Sequence, residues 1–172
     1  MRRYLCLALT LLLLTGCAGA AEDAPEVPAA PPVLTEPPVL TVRCGQTAVV
    51  ALRGAASWYY GDADGTQISF EADSLHPLDE AARDLTPRLV LPAGGPAEAV
   101  LEWDPAPDTA TVRRWNDALW GDTGAPAEEA AVEDGTIVLA EDGSVYEVAA
   151  VWSSPERWGG TARYSFHAGP AA

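Results

Sequence analysis

The chain has no lysine. All ten basic residues are arginine, set against 25 aspartates and glutamates, for a net charge of −15. A surface of that sign repels nucleic acid and anionic lipid headgroups, so neither nucleic acid nor a polybasic membrane patch is expected. Histidine and cysteine are almost as scarce, with two and three copies in 172 residues. A zinc centre needs three or four ligands at close spacing, and His76, His167 and Cys44 do not supply it; no metal and no cofactor is expected. The Gly-x-Ser-x-Gly elbow and the His-Glu-x-x-His helix are both missing. No apolar run is long enough to cross a bilayer, which takes about 20 residues.

What is present begins at the amino end. Arg2-Arg3 precede an apolar stretch from Leu5 to Leu14, which fits the core of an export signal. It ends in Leu14-Thr15-Gly16-Cys17. This resembles the lipobox of bacterial lipoproteins, in which small residues fit the peptidase cleft and the cysteine thiol takes a diacylglycerol. The resemblance implies a signal peptide over residues 1–16, lipidation of Cys17, and an extracytoplasmic chain anchored to the cell membrane. Two acyl chains suffice for stable anchoring, at about 0.8 kcal/mol per buried methylene. With Cys6 discarded and Cys17 acylated, Cys44 is left alone and no internal disulfide is expected.

From Ala18 to Pro38 alanine, proline and glutamate dominate, with no apolar periodicity. Residues 17–38 are expected to form a lipidated, disordered, partly polyproline tether. Beyond Pro38 the apolar period becomes two. Short runs rich in β-branched and aromatic residues alternate with Gly, Pro and Asp clusters, which predicts a disulfide-free β-sandwich over residues 39–168. A tail at 169–172 is expected to be disordered. Gly61-Asp62-Ala63-Asp64-Gly65 between an aromatic and a β-branched run predicts a hairpin. Leu78–Arg83, between Pro77 and Pro87, allows a turn or two of helix at most.

Asp142-Gly143-Ser144-Val145-Tyr146-Glu147-Val148 looks like the penultimate strand of an immunoglobulin fold with its tyrosine corner, Val148 holding the place of the second core cysteine. The phenol of Tyr146 is then expected to bond to nearby backbone. The segments Glu71–Leu78, Trp115–Asp122, Tyr146–Trp152 and Gly160–Phe166 together resemble an uncharacterised immunoglobulin-like domain of small lipoproteins in Gram-positive gut bacteria. They are also similar to the outward-facing C-terminal part of some antirepressor-type membrane metallopeptidases. The resemblance covers roughly residues 39 to 168. It implies an extracytoplasmic β domain with a link to sensing, and it brings no catalytic residue with it.

The chemical constellations are weak. Asp62-Ala63-Asp64-Gly65 opens like a calcium loop, but Ile68-Ser69-Phe70 after it reads as strand, so an Asx turn is the simpler reading. Ser74, His76 and Asp79 are near in sequence, which is not the geometry of a triad. Arg43 alone is little activation for Cys44. Six tryptophans stand out. Trp58, Trp103 and Trp152 lie in predicted strands and are expected in the core. Trp115, Trp120 and Trp158 lie at strand ends or in loops. They either cap the sandwich or, with Asp117 and Asp122, form a binding surface. Trp120 is the candidate to face a partner, because Gly121-Asp122-Thr123-Gly124 offers it no apolar neighbour.

The expectation is thus a non-enzymatic surface module that binds an extracytoplasmic protein or envelope component, with a sensor role in view. The alternative is a carbohydrate-binding module that stacks polysaccharide on loop tryptophans. Coplanar exposed rings near Asp117 or Asp122 favour the alternative; scattered or buried rings favour the first.

Overall fold

The computed structural model describes residues 32–92, 97–153 and 157–171. The signal, Cys17 and the first part of the tether lie outside them. The strands are β1 (Thr41–Cys44), β2 (Thr47–Val50), β3 (Leu52–Gly61), β4 (Gln67–Ala72), β5 (Arg88–Val90), β6 (Ala97–Glu102), β7 (Thr109–Asn116), β8 (Glu128–Ala130), β9 (Thr136–Leu139), β10 (Ser144–Ser153) and β11 (Trp158–Gly169). They form two packed sheets. The smaller has the order β2-β1-β6-β9, the larger β4-β3-β11-β10-β7-β8. Every pairing is antiparallel except that of β5, which runs parallel to the last residues of β11. The fold is the expected all-β sandwich, and the described cysteine, Cys44, is buried and free. In this order β6 and β9 of the smaller sheet take the places of strands B and E of an immunoglobulin sandwich, and β7, β10 and β11 of the larger sheet those of C, F and G.

The period of two explains the layers. Along β10, Tyr146, Val148, Ala150 and Trp152 belong to the main core, where they meet Val42, Ala99, Leu101 and Ile137 of the smaller sheet. Tyr146 stacks on Phe166 at 4.9 Å. Its hydroxyl accepts the Ala140 N–H at 2.7 Å, six residues upstream. The tyrosine corner is therefore present and ties the start of β10 to the end of β9. Trp58 and Trp152 are buried in the same core, with Trp103 at its margin.

The helical content among the described residues is a turn of α-helix, α1 (Glu80–Arg83), and a 3₁₀ turn at Asp117–Leu119. Asp79 caps α1 by accepting the Ala81 N–H at 2.9 Å. None of these is long and apolar enough to cross a membrane. The Asp62 side chain accepts from the N–H groups of Asp64 and Thr66 at 3.0 and 2.8 Å. That is the Asx turn joining β3 to β4, with Gly65 supplying the positive φ of 81°.

Both boundaries of the domain differ from the sequence expectation. The tether was expected to run to Pro38, yet residues 34–38 are part of the packed domain. Pro37 and Pro38 are buried, and Leu34 packs on the main core. The Leu34 carbonyl accepts from Trp58 Nε1 at 3.0 Å, that of Pro37 from Arg53 at 2.9 Å, and that of Pro38 from the Tyr164 hydroxyl at 2.5 Å. At the other end β11 continues through Gly169, whose carbonyl accepts the Leu91 N–H. The Pro170 carbonyl accepts from Arg88 at 2.7 Å, so the expected tail at 169–172 begins later.

Candidate functional site

The three loop tryptophans do not form one surface. Trp115 lies on β7 opposite Val145, and Trp158 opens β11 opposite Tyr60. Gly159 pairs with Ser153, eight residues along β10 from Val145, which at about 3.3 Å per residue puts the two tryptophans about 26 Å apart. They also lie on opposite faces. Trp158, partly buried, stacks on Trp58 at 5.7 Å at the margin of the main core. Trp115 belongs to a second, small core on the outer face of the larger sheet, with Leu78 and Val145. The expected joint surface of Trp115, Trp120, Trp158, Asp117 and Asp122 is corrected accordingly.

The small core is roofed by residues 76–78 and 117–125. One row of the larger sheet presents Trp115, Val145 and His167 side by side. Trp115 is 3% exposed, its Nε1 donates to the Ala125 carbonyl at 3.2 Å, and the His76 ring meets its edge at 5.3 Å. His76 Nδ1 in turn accepts the Leu78 N–H at 3.1 Å, which makes it a turn residue. His167 Nε2 lies 3.0 Å from Asp117 Oδ2. The Asp117 carboxylate is thus used to hold the roof on β11.

Trp120 is not the exposed ring expected from its neighbours in sequence. Gly121 turns the chain with φ 94°, and its N–H donates to the Leu78 carbonyl at 2.7 Å. That folds Trp120 back onto the small core, against the His167 ring at 5.2 Å and beneath the Arg83 guanidinium at 5.2 Å. The partners come from α1 and β11, far away in sequence. Trp120 Nε1 is buried with no hydrogen-bond partner among the described residues. Asp122 is exposed, and its carboxylate accepts the Gly124 N–H at 3.1 Å in a local turn.

Beside the small core is a pocket of about 200 Å³ between residues 74–85 and the sheet. Leu75 and Leu85 stand at it half exposed or more, at 50% and 61%. Its floor is Glu147, 6% exposed, bound on one oxygen by both Arg113 and Arg163, the latter at 2.8 Å. The three residues bridge β7, β10 and β11. One carboxylate is shared by two guanidiniums, and the pocket is smaller than the 300 Å³ or more usual for a small-molecule site.

No known protein family, no curated protein and no solved structure matches this chain. No group of three or more metal-binding side chains occurs among the described residues.

The open part of the molecule is the arm made by β3 and β4. All six residues of β4 are exposed. β4 ends the larger sheet, and among the described residues no strand pairs with its outer edge. Phe70 lies opposite Trp58 and Ile68 opposite Tyr60, on the side of the main core. There they are 36% and 37% exposed. Sequence reading placed the hairpin correctly but missed the surface. The signal was there in Ile68 and Phe70, two large apolar residues next to an Asp-rich turn; what was missing was the register that leaves them uncovered.

Proposed function

We propose that this chain is a lipoprotein held at the outer side of the cell membrane through Cys17, and that it works as a binding module for another extracytoplasmic protein rather than as a catalyst. The lipobox supports the address. The acidic surface supports a protein partner over nucleic acid or an anionic bilayer. The observation that carries the reading is the β3–β4 arm, whose end strand keeps a free backbone edge and two partly exposed apolar side chains. Soluble domains usually shorten or shield such an edge, because it is a template for pairing. The polysaccharide alternative loses its ground, since Trp115 is buried and Trp158 lies about 26 Å away on the other face of the sheet.

A photo-crosslinking amino acid placed at Phe70 in intact cells tests this. A discrete adduct is expected from position 70 and none from Val138, which is exposed on the smaller sheet. Cys17→Ala should release the protein from the membrane fraction or leave its signal uncleaved. Equal labelling at both positions, or an unmodified Cys17 in the mature protein, goes against the proposal.

A further inference from the structure

We infer that the outer edge of β4 takes an extended strand of a partner protein, in which arginine or lysine alternates with apolar residues. The inference rests on the proposed binding role and adds the chemistry of the partner.

Three observations meet at this strand. The first is the backbone. β4 is the longest edge strand among those described, six residues against four or fewer in β2, β5, β8 and β9. It has no proline, no basic residue and no register shift against β3. These are the usual means by which an edge is closed to strand addition, and their absence leaves a row of backbone donors and acceptors able to bind another strand.

The second is the pattern of side chains. Ile68 and Phe70 point to the core side, beside the half-buried Tyr60. Gln67, Ser69 and Glu71 point to the opposite side. An added strand continues this alternation, so its apolar residues would cover Ile68 and Phe70 while the residues between them face Glu71.

The third is charge, which selects the partner. From Gly61 to Leu75 the arm carries Asp62, Asp64, Glu71 and Asp73, and no arginine or lysine. Asp62 and Asp73 each accept backbone N–H bonds, at 2.8 and 2.9 Å, while Glu71 forms no ion pair among the described residues. Pairing β4 with a second copy brings two such arms together, and like charges oppose it. A basic strand meets the opposite sign on the same face and at both ends.

The test uses the full-length lipidated protein in phosphatidylcholine nanodiscs, which carry no net charge. The probe is a fluorescent, end-blocked octapeptide of alternating arginine and valine. Its counterparts are the glutamate–valine peptide and an arginine–valine peptide N-methylated at alternate residues. The first should bind, with anisotropy saturating. N-methylation should weaken it by about tenfold or more, because it removes the backbone donors. Glu71→Arg should lower affinity for the basic peptide by about tenfold and raise it for the acidic one. Phe70→Lys should weaken binding of the basic peptide. Binding that is indifferent to N-methylation is mere charge attraction and overturns the inference. So does a wild-type dimer that Phe70→Lys converts to monomer, since the occupant is then a second copy. A protein adduct at position 70 in cells, with no binding in the peptide series, overturns the partner chemistry and leaves the binding role standing. No adduct at all removes both.

Discussion

Two parts of the larger sheet treat their aromatic residues in opposite ways. Over the outer face, Trp115 is folded under a roof made by residues 76–78 and the loop 117–125, whose Trp120, partly buried, lies beneath Arg83 of α1. In the β3–β4 arm, Phe70 and Ile68 lie opposite residues of their own hairpin and are left partly uncovered. The first region gathers long-range contacts, and the second relies on a turn and a ladder. Position in a loop therefore does not make an aromatic ring available, and position in a strand does not make it core.

The largest effect is expected of Trp115→Ala. A buried indole that also satisfies the Ala125 carbonyl should cost about 3–5 kcal/mol of stability by chemical denaturation, through lost contacts and the cavity left behind. A loss near zero would mean that the roof is not a core. Next in size is Tyr146→Phe, which leaves the Ala140 N–H without its acceptor. Equilibrium unfolding should show a loss of about 1 kcal/mol. A neutral substitution would remove the tyrosine corner from the account.

A pH effect should follow from Tyr164. Burial, the largest cause, raises its phenol above the ordinary value of 10.0. The folded chain therefore keeps the proton to higher pH than the unfolded chain. The contribution is whole below pH 10 and is lost as the pH rises beyond it, because only the unfolded chain gains by ionising. Unfolding in alkaline buffers should show this fall, and Tyr164→Phe should flatten it. A variant with an unchanged alkaline slope would assign the effect elsewhere.

Smaller effects separate the two tryptophans of the roof. Trp120 Nε1 is buried with no partner among the described residues, whereas that of Trp115 is bonded. Trp120→Phe should cost at least about 1 kcal/mol less than Trp115→Phe, since no bond is broken and an unsatisfied donor is removed. Equal losses would show that Trp120 has a partner. Smallest of all is Phe70→Lys in the arm, where the change in stability should stay within about 0.5 kcal/mol.

Local signals in the sequence were sound. Asp62 and Gly65 set the β3–β4 hairpin, Asp79 set α1, and Asp142 to Val148 showed the tyrosine corner, because each depends on neighbours a few residues apart. Long-range packing was not legible. Nothing near Trp120 in sequence shows that Gly121 would return it to Leu78, or that Arg83 and His167 would enclose it. The prolines at 37 and 38 looked like tether because they carry no periodicity. Their carbonyls are nevertheless what Arg53 and Tyr164 need, and only the fold brings those side chains to them. β8 escaped notice because it has three residues, two of them glutamate.

If the roof is structural and the arm takes the proposed partner, only the arm should respond to the native envelope. Hydrogen–deuterium exchange read by mass spectrometry tests it most directly, with the protein in its native envelope compared against purified protein in nanodiscs. Amides of β4 should be slowed in the envelope and fast when purified, while those of β10 and residues 117–125 should exchange alike in both. Slowing confined to 117–125, with β4 equally fast in both, would contradict it.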